Sequence, residues 1–189
     1  MLERYKKISV ESPRIFAAPA EERLLERLIW PLRQAKGTYM LGGYLSTISI
    51  CGMVAEMAAI LNFDLGSFQI NDVEMTEKMQ QNVFGSRFER LGQERRVNIL
   101  FGYGIISSGL KEDFDTIRTK RRTYLHLWSS DHSTLADDAV ACFLAAVRIV
   151  VSTLGLSIDG GKLILRQEVF QYLRDHGVEP SPSVDSGGE

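Results

Sequence analysis

Residues 108–130 read SGLKEDFDTIRTKRRTYLHLWSS, and this stretch predicts the central amphipathic helix of the chain. Ser107 or Ser108 is placed to cap its start, because a hydroxyl can accept a first-turn N–H. Acids follow in the first turn and basic residues lie towards the other end, as the helix dipole favours. The apolar residues recur at helical spacing and form one stripe, which consists of Phe114, Ile117, Tyr124, Leu125 and Trp128.

Arg121 falls inside that apolar stripe and is therefore the first candidate for a functional side chain. A guanidinium on a buried face needs a partner or a nearby surface, so a structural ion pair and a snorkelling side chain are the alternatives. His126 lies on the polar flank, where an exposed or helix-capping His is the alternative. The two residues are separated by about 140° of helix rotation, so a site that uses both needs a curled Arg side chain, a loosened helix end or a second subunit.

The composition is that of a globular protein with a sizeable core. The chain has 189 residues, of which 44% are hydrophobic and 24% charged. Its net charge of −2 gives no global electrostatic case for nucleic-acid binding. Cys51 and Cys142 lie in apolar surroundings without metal-ligand spacing, so we expect reduced core thiols and a cytoplasmic location. The sequence predicts neither a secretory segment nor an apolar run of membrane-spanning length. We therefore expect no membrane association.

The most apolar region, residues 37–62, reads GTYMLGGYLSTISICGMVAEMAAILN and predicts a second central helix. The β-branched residues of YLSTISI would also suit a strand. The helical period continues into MVAEMAAIL, however, and favours the helix. Glu56 is the only acid in this run, so it either points to water or pairs with a cation such as Arg121.

The remaining elements are predicted from periodicity and capping signals, and further helices are expected over residues 20–35, 73–83, 87–101, 135–154 and 162–176. Pro31 should kink the first of these or end it early. The expected capping residues are Asn71 or Asp72, Ser86 with Glu89, and Thr134 with Asp137. Arginines and glutamates alternate over residues 87–96, which predicts a solvated, salt-bridged face.

With no hairpin signal and no alternating β/α pattern, the chain is predicted to be an all-α helical bundle of about six to seven helices. Residues 20–154 should form the bundle, and residues 155–178 should add a turn and a helix. Residues 1–19 are expected to be irregular, and residues 179–189 have the composition of a disordered tail.

Two segments of the chain carry a resemblance to a known family. Residues 91–126, LGQERRVNILFGYGIISSGLKEDFDTIRTKRRTYLH, resemble the C-terminal half of HEPN-type domains, which are nucleotide-binding helical bundles of higher eukaryotes and prokaryotes. That half consists of a basic helix, a turn and a second helix, on which four residues separate an arginine from a histidine. In this chain the two residues are Arg121 and His126. Residues 44–61 resemble the other central helix of the family, and Glu56 matches its frequent acidic position.

The resemblance implies a HEPN-like bundle and a metal-independent endoribonuclease that needs no cofactor. His126 would act as general acid or base, Arg121 would stabilise phosphoryl charge and Glu56 would orient or neutralise it. Two-fold pairing would place two such sets in the cleft of a homodimer. The candidate phosphate-binding residues for RNA are Arg118, Lys120 and Arg122.

Two departures from the family pattern favour a different function. Arg122 stands where the family commonly has a small polar residue, and Gly52 stands where an Arg often precedes the acid by one turn. The alternative is therefore a non-catalytic helical dimer that acts as a binding or regulatory module. An unrelated helical bundle is the third alternative.

Overall fold

The computed structural model describes residues 25–66, 68–70, 73–126, 131–155, 157–159 and 162–175. Seven α-helices occur in these ranges, and the predicted all-α bundle of six to seven helices is confirmed. They are α1 (Trp30–Met40), α2 (Tyr44–Leu65), α3 (Glu77–Phe84), α4 (Gln93–Gly102), α5 (Ser108–His126), α6 (Leu135–Leu154) and α7 (Gln167–Asp175). The predicted irregular segment 1–19 and the predicted tail 179–189 lie outside the described residues.

Helices α2, α5 and α6 form the centre of the bundle, and each packs against the other two. Phe143 of α6 is completely buried, and Phe114 and Ile117 of α5 are 1% exposed. The apolar stripe predicted for α5 therefore faces the core, although the side chain of Leu125 and all of Trp128 lie outside the described residues. Ser107 caps α5, since its hydroxyl oxygen accepts the backbone N–H of Leu110 at 3.3 Å.

Helix α6 has the predicted bounds, because its apolar period is unbroken over 20 residues. Gly155 ends it in the left-handed conformation, with φ of 62°, as glycine does most readily. A buried hydrogen bond from the Asn62 amide to the Thr153 hydroxyl, 2.7 Å long, joins the ends of α2 and α6. Because both groups are shielded from water, this bond favours one relative position of the two helices.

Helix α2 meets the length and composition criteria for crossing a membrane, with 22 residues and a mean hydropathy of 1.6. The prediction that no apolar run reaches this length is therefore wrong. Half of the qualifying window is buried inside the bundle. A helix that is apolar nearly all round is also typical of a bundle core, and α2 packs against α1, α5 and α6.

Of the two effects predicted for Pro31, a kink or an early end, the early end does not occur. A π-helical turn, Leu25–Ile29, leads into α1, and Pro31 lies in the first turn of α1. Proline is tolerated there because its fixed φ angle suits the first turn of an α-helix. The helix then continues past the predicted end at residue 35 to Met40.

The predicted helix over residues 73–83 begins later than expected. Val73–Glu74 forms strand β2, which pairs in antiparallel fashion with strand β1, Gln69–Ile70. Thr76 is the N-cap of α3, and its hydroxyl accepts the Met79 N–H at 3.3 Å. The capping residues expected from the sequence, Asn71 and Asp72, lie outside the described residues.

The capping box of Ser86 and Glu89 does not open a continuous helix over residues 87–101. Phe88–Arg90 forms one 3₁₀ turn, and α4 begins after Gly92. The N–H of Phe88 is bound by the Gln80 side chain at 3.0 Å, and its ring stacks on Phe63 with 4.0 Å between centroids. Burial of this ring diverts the chain and interrupts the helix.

The prediction of a solvated face over residues 87–96 is wrong for Arg96, because this residue is only 8% exposed. Its Nη2 donates to the backbone carbonyl of Glu89 at 2.7 Å. Burial lowers the pKa of the Arg96 guanidinium, and the carboxylates of Glu56 and Glu89 partly offset that effect. Arg87 behaves as predicted, since it pairs with Glu77 at 2.6 Å at the surface.

The C-terminal part contains a hairpin that the sequence analysis missed. Strand β3, Ser157–Asp159, pairs in antiparallel fashion with strand β4, Lys162–Ile164, within the range predicted as turn and helix. Helix α7 therefore begins only at Gln167. Leu165 and Val169 are buried in the main core, so this part packs on the bundle.

Both cysteines are unbridged and buried, as the sequence predicts. Burial raises the pKa of the Cys142 thiol to about 12 and that of Cys51 well above its usual range. Since the thiolate is the reactive form, both side chains serve as small core residues.

Candidate functional site

Arg121 and Glu56 form an ion pair where α5 crosses α2. Arg121 Nη1 donates to Glu56 Oε1, so the only acid of residues 37–62 is the partner of the arginine inside the apolar stripe of α5. The two side chains are 37% and 38% exposed. The pair thus lies at the edge of the core and is accessible to a molecule arriving from solvent.

A cavity of about 290 Å³ opens beside this ion pair. Three guanidinium groups and one carboxylate contribute to its lining, together with three buried side chains of the core. The lining residues are Gly52, Ala55, Glu56, Gln93, Phe114, Ile117, Arg118, Arg121 and Arg122. We name this space the Arg121 cavity. A cavity with apolar lining residues and an excess of positive charge suits a small anionic group that is part of a larger molecule.

The three arginines of the Arg121 cavity differ in their partners. Arg118 binds Glu94 at 3.1 Å and Asp115 at 3.3 Å, so internal carboxylates share its charge. Arg121 is held by Glu56. Arg122 is exposed and makes no hydrogen bond or ion pair with any residue that the structure describes. As far as the described residues go, Arg122 therefore has no internal contact to give up before it meets an incoming anion.

Lys120 is not part of this cavity, although the sequence analysis grouped it with Arg118 and Arg122. It points towards α6, where its Nζ pairs with Asp138 Oδ1 at 2.8 Å. Adjacent residues of a helix are separated by about 100° of rotation, so Lys120 and Arg121 face different neighbours.

His126 is the last residue of α5, five residues beyond Arg121. Its side chain lies outside the described part of the structure, and the connection over residues 127–130 does as well. The predicted juxtaposition of Arg121 and His126 therefore stays a prediction.

A second polar cluster fixes the C-terminal half of α5 to the start of α6. The Tyr124 hydroxyl donates to Asp138 Oδ2 at 2.5 Å, and the Thr134 hydroxyl lies 3.0 Å from that of Tyr124. Thr134 also donates to Asp138, at 3.1 Å, instead of capping α6 as predicted. Three donors thus converge on Asp138, and Lys120 supplies the third. This cluster holds the end of α5 that carries Arg121, Arg122 and His126.

Burial alone would raise the pKa of the Asp138 carboxyl, but hydrogen bonds from Lys120, Tyr124 and Thr134 and the charge of Lys120 outweigh it. The net result is a pKa below the usual value. A depressed folded-state pKa contributes stability above the unfolded pKa, and this stability is lost as pH falls through the folded-state pKa. The cluster is therefore weakened by acid, below about pH 4.

We expect Asp138→Asn to lower the free energy of unfolding by about 1–3 kcal/mol at pH 7, because charged hydrogen bonds to Lys120 and Tyr124 are lost. The difference from wild type should narrow as pH falls below about 4, because the wild-type carboxyl is protonated first in the unfolded state and then, at lower pH, in the folded state. Urea unfolding of the variant and the wild type at pH 7 and pH 3 measures the difference in free energy of unfolding and its change with pH. Glu112→Gln, on the exposed side of α5, is the control and should change stability by less than about 0.5 kcal/mol. A pH-independent loss in Asp138→Asn would contradict the ionic role.

Five residues that line the Arg121 cavity were not among the predicted site residues, namely Gly52, Ala55, Gln93, Phe114 and Ile117. Gln93 is the first residue of α4, and its amide donates to the carbonyl of Ala55 at 3.3 Å, which ties α4 to α2. No periodic or capping signal distinguishes this glutamine, since its position depends on how α4 packs against α2. No group of three or more His, Cys, Asp and Glu side chains suited to a metal ion occurs among the described residues.

Comparisons with known protein families, curated proteins and solved structures find no match to this chain.

Proposed function

We propose that this protein is a metal-independent endoribonuclease of HEPN-like type and that the Arg121 cavity holds the phosphodiester group that is cleaved. The observation that carries the proposal is that Arg121, Arg122 and Glu56 line one cavity. A planar guanidinium binds two phosphate oxygens through parallel N–H donors, which suits it to this role better than an ammonium group. The resemblance of residues 91–126 to HEPN-type domains supports the choice of reaction.

In this proposal the two arginines have different roles. Arg122 makes the first contact with the RNA phosphate, because it has no described internal partner to exchange. Arg121 shares its donors between Glu56 and the phosphate, and Glu56 keeps the guanidinium at the cavity wall before RNA arrives. Arg118 contributes less, since Glu94 and Asp115 already share its charge.

RNA supplies its own nucleophile, the 2′-hydroxyl. The 2′-oxygen attacks the adjacent phosphorus while the bond from phosphorus to the next 5′-oxygen breaks, giving a 2′,3′-cyclic phosphate and a 5′-hydroxyl. His126, as the neutral imidazole, takes the proton of the 2′-hydroxyl, and an imidazolium from the partner copy of a homodimer gives one to the leaving oxygen. Arg121 stabilises the negative charge that develops on the non-bridging oxygens.

We expect the purified protein to cleave single-stranded RNA in the presence of EDTA and to leave cyclic phosphate ends. DNA of the same sequence should stay intact because it lacks the 2′-hydroxyl. Gel analysis of end-labelled oligonucleotides measures both, and light scattering on the same sample measures the expected dimer. Cleavage that appears only after addition of a divalent metal would contradict the proposed mechanism.

A non-catalytic binding or regulatory module is the second candidate function. The observation that favours it is the internal pairing of Arg118 with carboxylates and of Lys120 with Asp138, which leaves few cations for RNA. Such a module would recognise a ligand or partner through its apolar helix faces and would leave RNA unchanged. Folded wild-type protein that gives no RNA cleavage product in EDTA or in added metal would support this candidate over the nuclease.

A further inference from the structure

We propose that Gly52 is a positioning residue for Arg121, an inference that rests on the proposed function of the Arg121 cavity. A Cβ atom at residue 52 would lie 2.6 Å from Arg121 Cδ, 3.2 Å from Nε and 3.3 Å from Nη1. Carbon atoms in contact are normally about 3.5–4.0 Å apart. Arg121 therefore occupies space that any side chain at residue 52 would fill.

The contact of Arg121 with Gly52 continues directly into its contact with Glu56. Residues 52 and 56 are four apart and share one face of α2. Gly52 leaves room for the aliphatic part and the Nε atom of Arg121, and Glu56 accepts a hydrogen bond from Arg121 Nη1. The absence of a side chain at one position and the carboxylate at the other thus define where the Arg121 guanidinium lies.

The Nε atom of Arg121 is buried and has no hydrogen-bond partner in the described structure. An arginine that merely snorkelled to the surface would keep its polar atoms in water. Burial of Nε against α2 carries a desolvation cost, because a donor loses water without gaining an acceptor. The surroundings of Arg121 therefore impose its position. Among these surroundings, the open space at Gly52 is what allows the side chain to lie there.

The backbone gives no other reason for a glycine at residue 52. Glycine is among the least favourable residues inside a helix, and Gly52 lies well within α2. Its φ angle is not in the left-handed region that requires glycine, unlike those of Gly85 and Gly155. All three atoms nearest to the added Cβ belong to Arg121. The close approach of Arg121 is therefore the physical reason that we assign to this glycine.

The experiment replaces Gly52 with alanine and measures Arg121 directly. We expect Gly52→Ala to fold with a melting temperature at or above that of wild type, since alanine favours the helix and a flexible side chain can move aside. Solvent exchange of the Arg121 Nε–H, followed by ¹⁵N NMR, should become faster. Affinity for 2′-O-methyl RNA, which cannot be cleaved, should fall about tenfold, as expected for one charge-assisted hydrogen bond.

Gly37→Ala is the matched control, because an added Cβ at Gly37 in α1 meets nothing within 4 Å. It should leave both Nε–H exchange and RNA affinity at wild-type values. A second arm places Gly52→Ala in an Arg121→Ala background, where the added methyl group has no arginine to displace. No further loss of affinity is expected there, whereas a role of Gly52 that is independent of Arg121 would cause the same loss in both backgrounds.

The outcomes separate this proposal from the proposed function. Wild-type rates of Nε–H exchange in Gly52→Ala, a misfolded Gly52→Ala protein, or equal losses of affinity in both backgrounds would each overturn the positioning role. If wild-type protein binds no RNA, the proposed function fails, and Nε–H exchange alone then decides whether Gly52 positions Arg121. Faster exchange with a loss of affinity that depends on Arg121 supports both.

Discussion

His126→Ala is expected to reduce the rate of RNA cleavage by about 10²–10⁴-fold, the usual contribution of a positioned general acid or base. RNA binding should change little, because the proposed phosphate contacts come from Arg121 and Arg122, which line the cavity. Single-turnover cleavage in EDTA measures the rate, and binding of 2′-O-methyl RNA measures the affinity. The dependence of the wild-type rate on pH near neutrality should disappear in the variant, since imidazole titrates there.

His132→Ala is the matched control for this prediction. His132 lies shortly before α6, with its ring 5.5 Å from the ring of Tyr124, and it is exposed. Its replacement should leave the cleavage rate close to that of wild type. A similar loss of rate in both variants would point to damage of the α5–α6 region rather than to chemistry by His126. Full activity of His126→Ala would remove His126 from the mechanism.

The second large effect is expected for Arg121→Ala, which should lower the cleavage rate by about 10²–10³-fold. This is the loss typical of removing one donor that stabilises charge in a transition state. Affinity for RNA should fall less, because Arg122 still contacts the phosphate. Glu56→Gln should have a smaller effect than Arg121→Ala, since an uncharged amide can still hold the guanidinium while competing less for it. Single-turnover cleavage rates of the wild type, Arg121→Ala and Glu56→Gln test this order of effects.

Arg148→Ala provides the control for Arg121→Ala. Arg148 of α6 pairs with Asp113 of α5 at 2.6 Å, and its side chain is 47% exposed, so it resembles Arg121 in being part of an ion pair between helices. Partly exposed ion pairs contribute only about 0–1 kcal/mol, so both variants should remain folded. The cleavage rate should fall in Arg121→Ala alone. Equal losses in the two variants would assign Arg121 a purely structural role.

Long periodic segments of this chain could be predicted from the sequence, whereas short ones could not. Helix α6 has its predicted bounds and α5 lies within its predicted region, because each repeats an apolar pattern over many turns. Helix α2 overlaps most of its predicted region, residues 37–62, but begins at Tyr44 and continues to Leu65. The strands of β1–β2 and β3–β4 have two or three residues each, too few to show any period. The 3₁₀ turn Phe88–Arg90 depends on burial of the Phe88 ring against Phe63, which a local capping signal cannot reveal.

The candidate site divides in the same way. Sequence alone determined that α5 carries Arg121 within an apolar stripe and that the apolar run of residues 37–62 carries a single acid, Glu56. Their pairing, the separation of Lys120 from the cavity and the place of Gly52 beneath Arg121 were decided only by the tertiary structure. The physical reason is that an ion pair between residues 65 positions apart depends on where two helices cross. That crossing is set by core packing around side chains such as Phe114 and Phe143, not by the charged residues themselves.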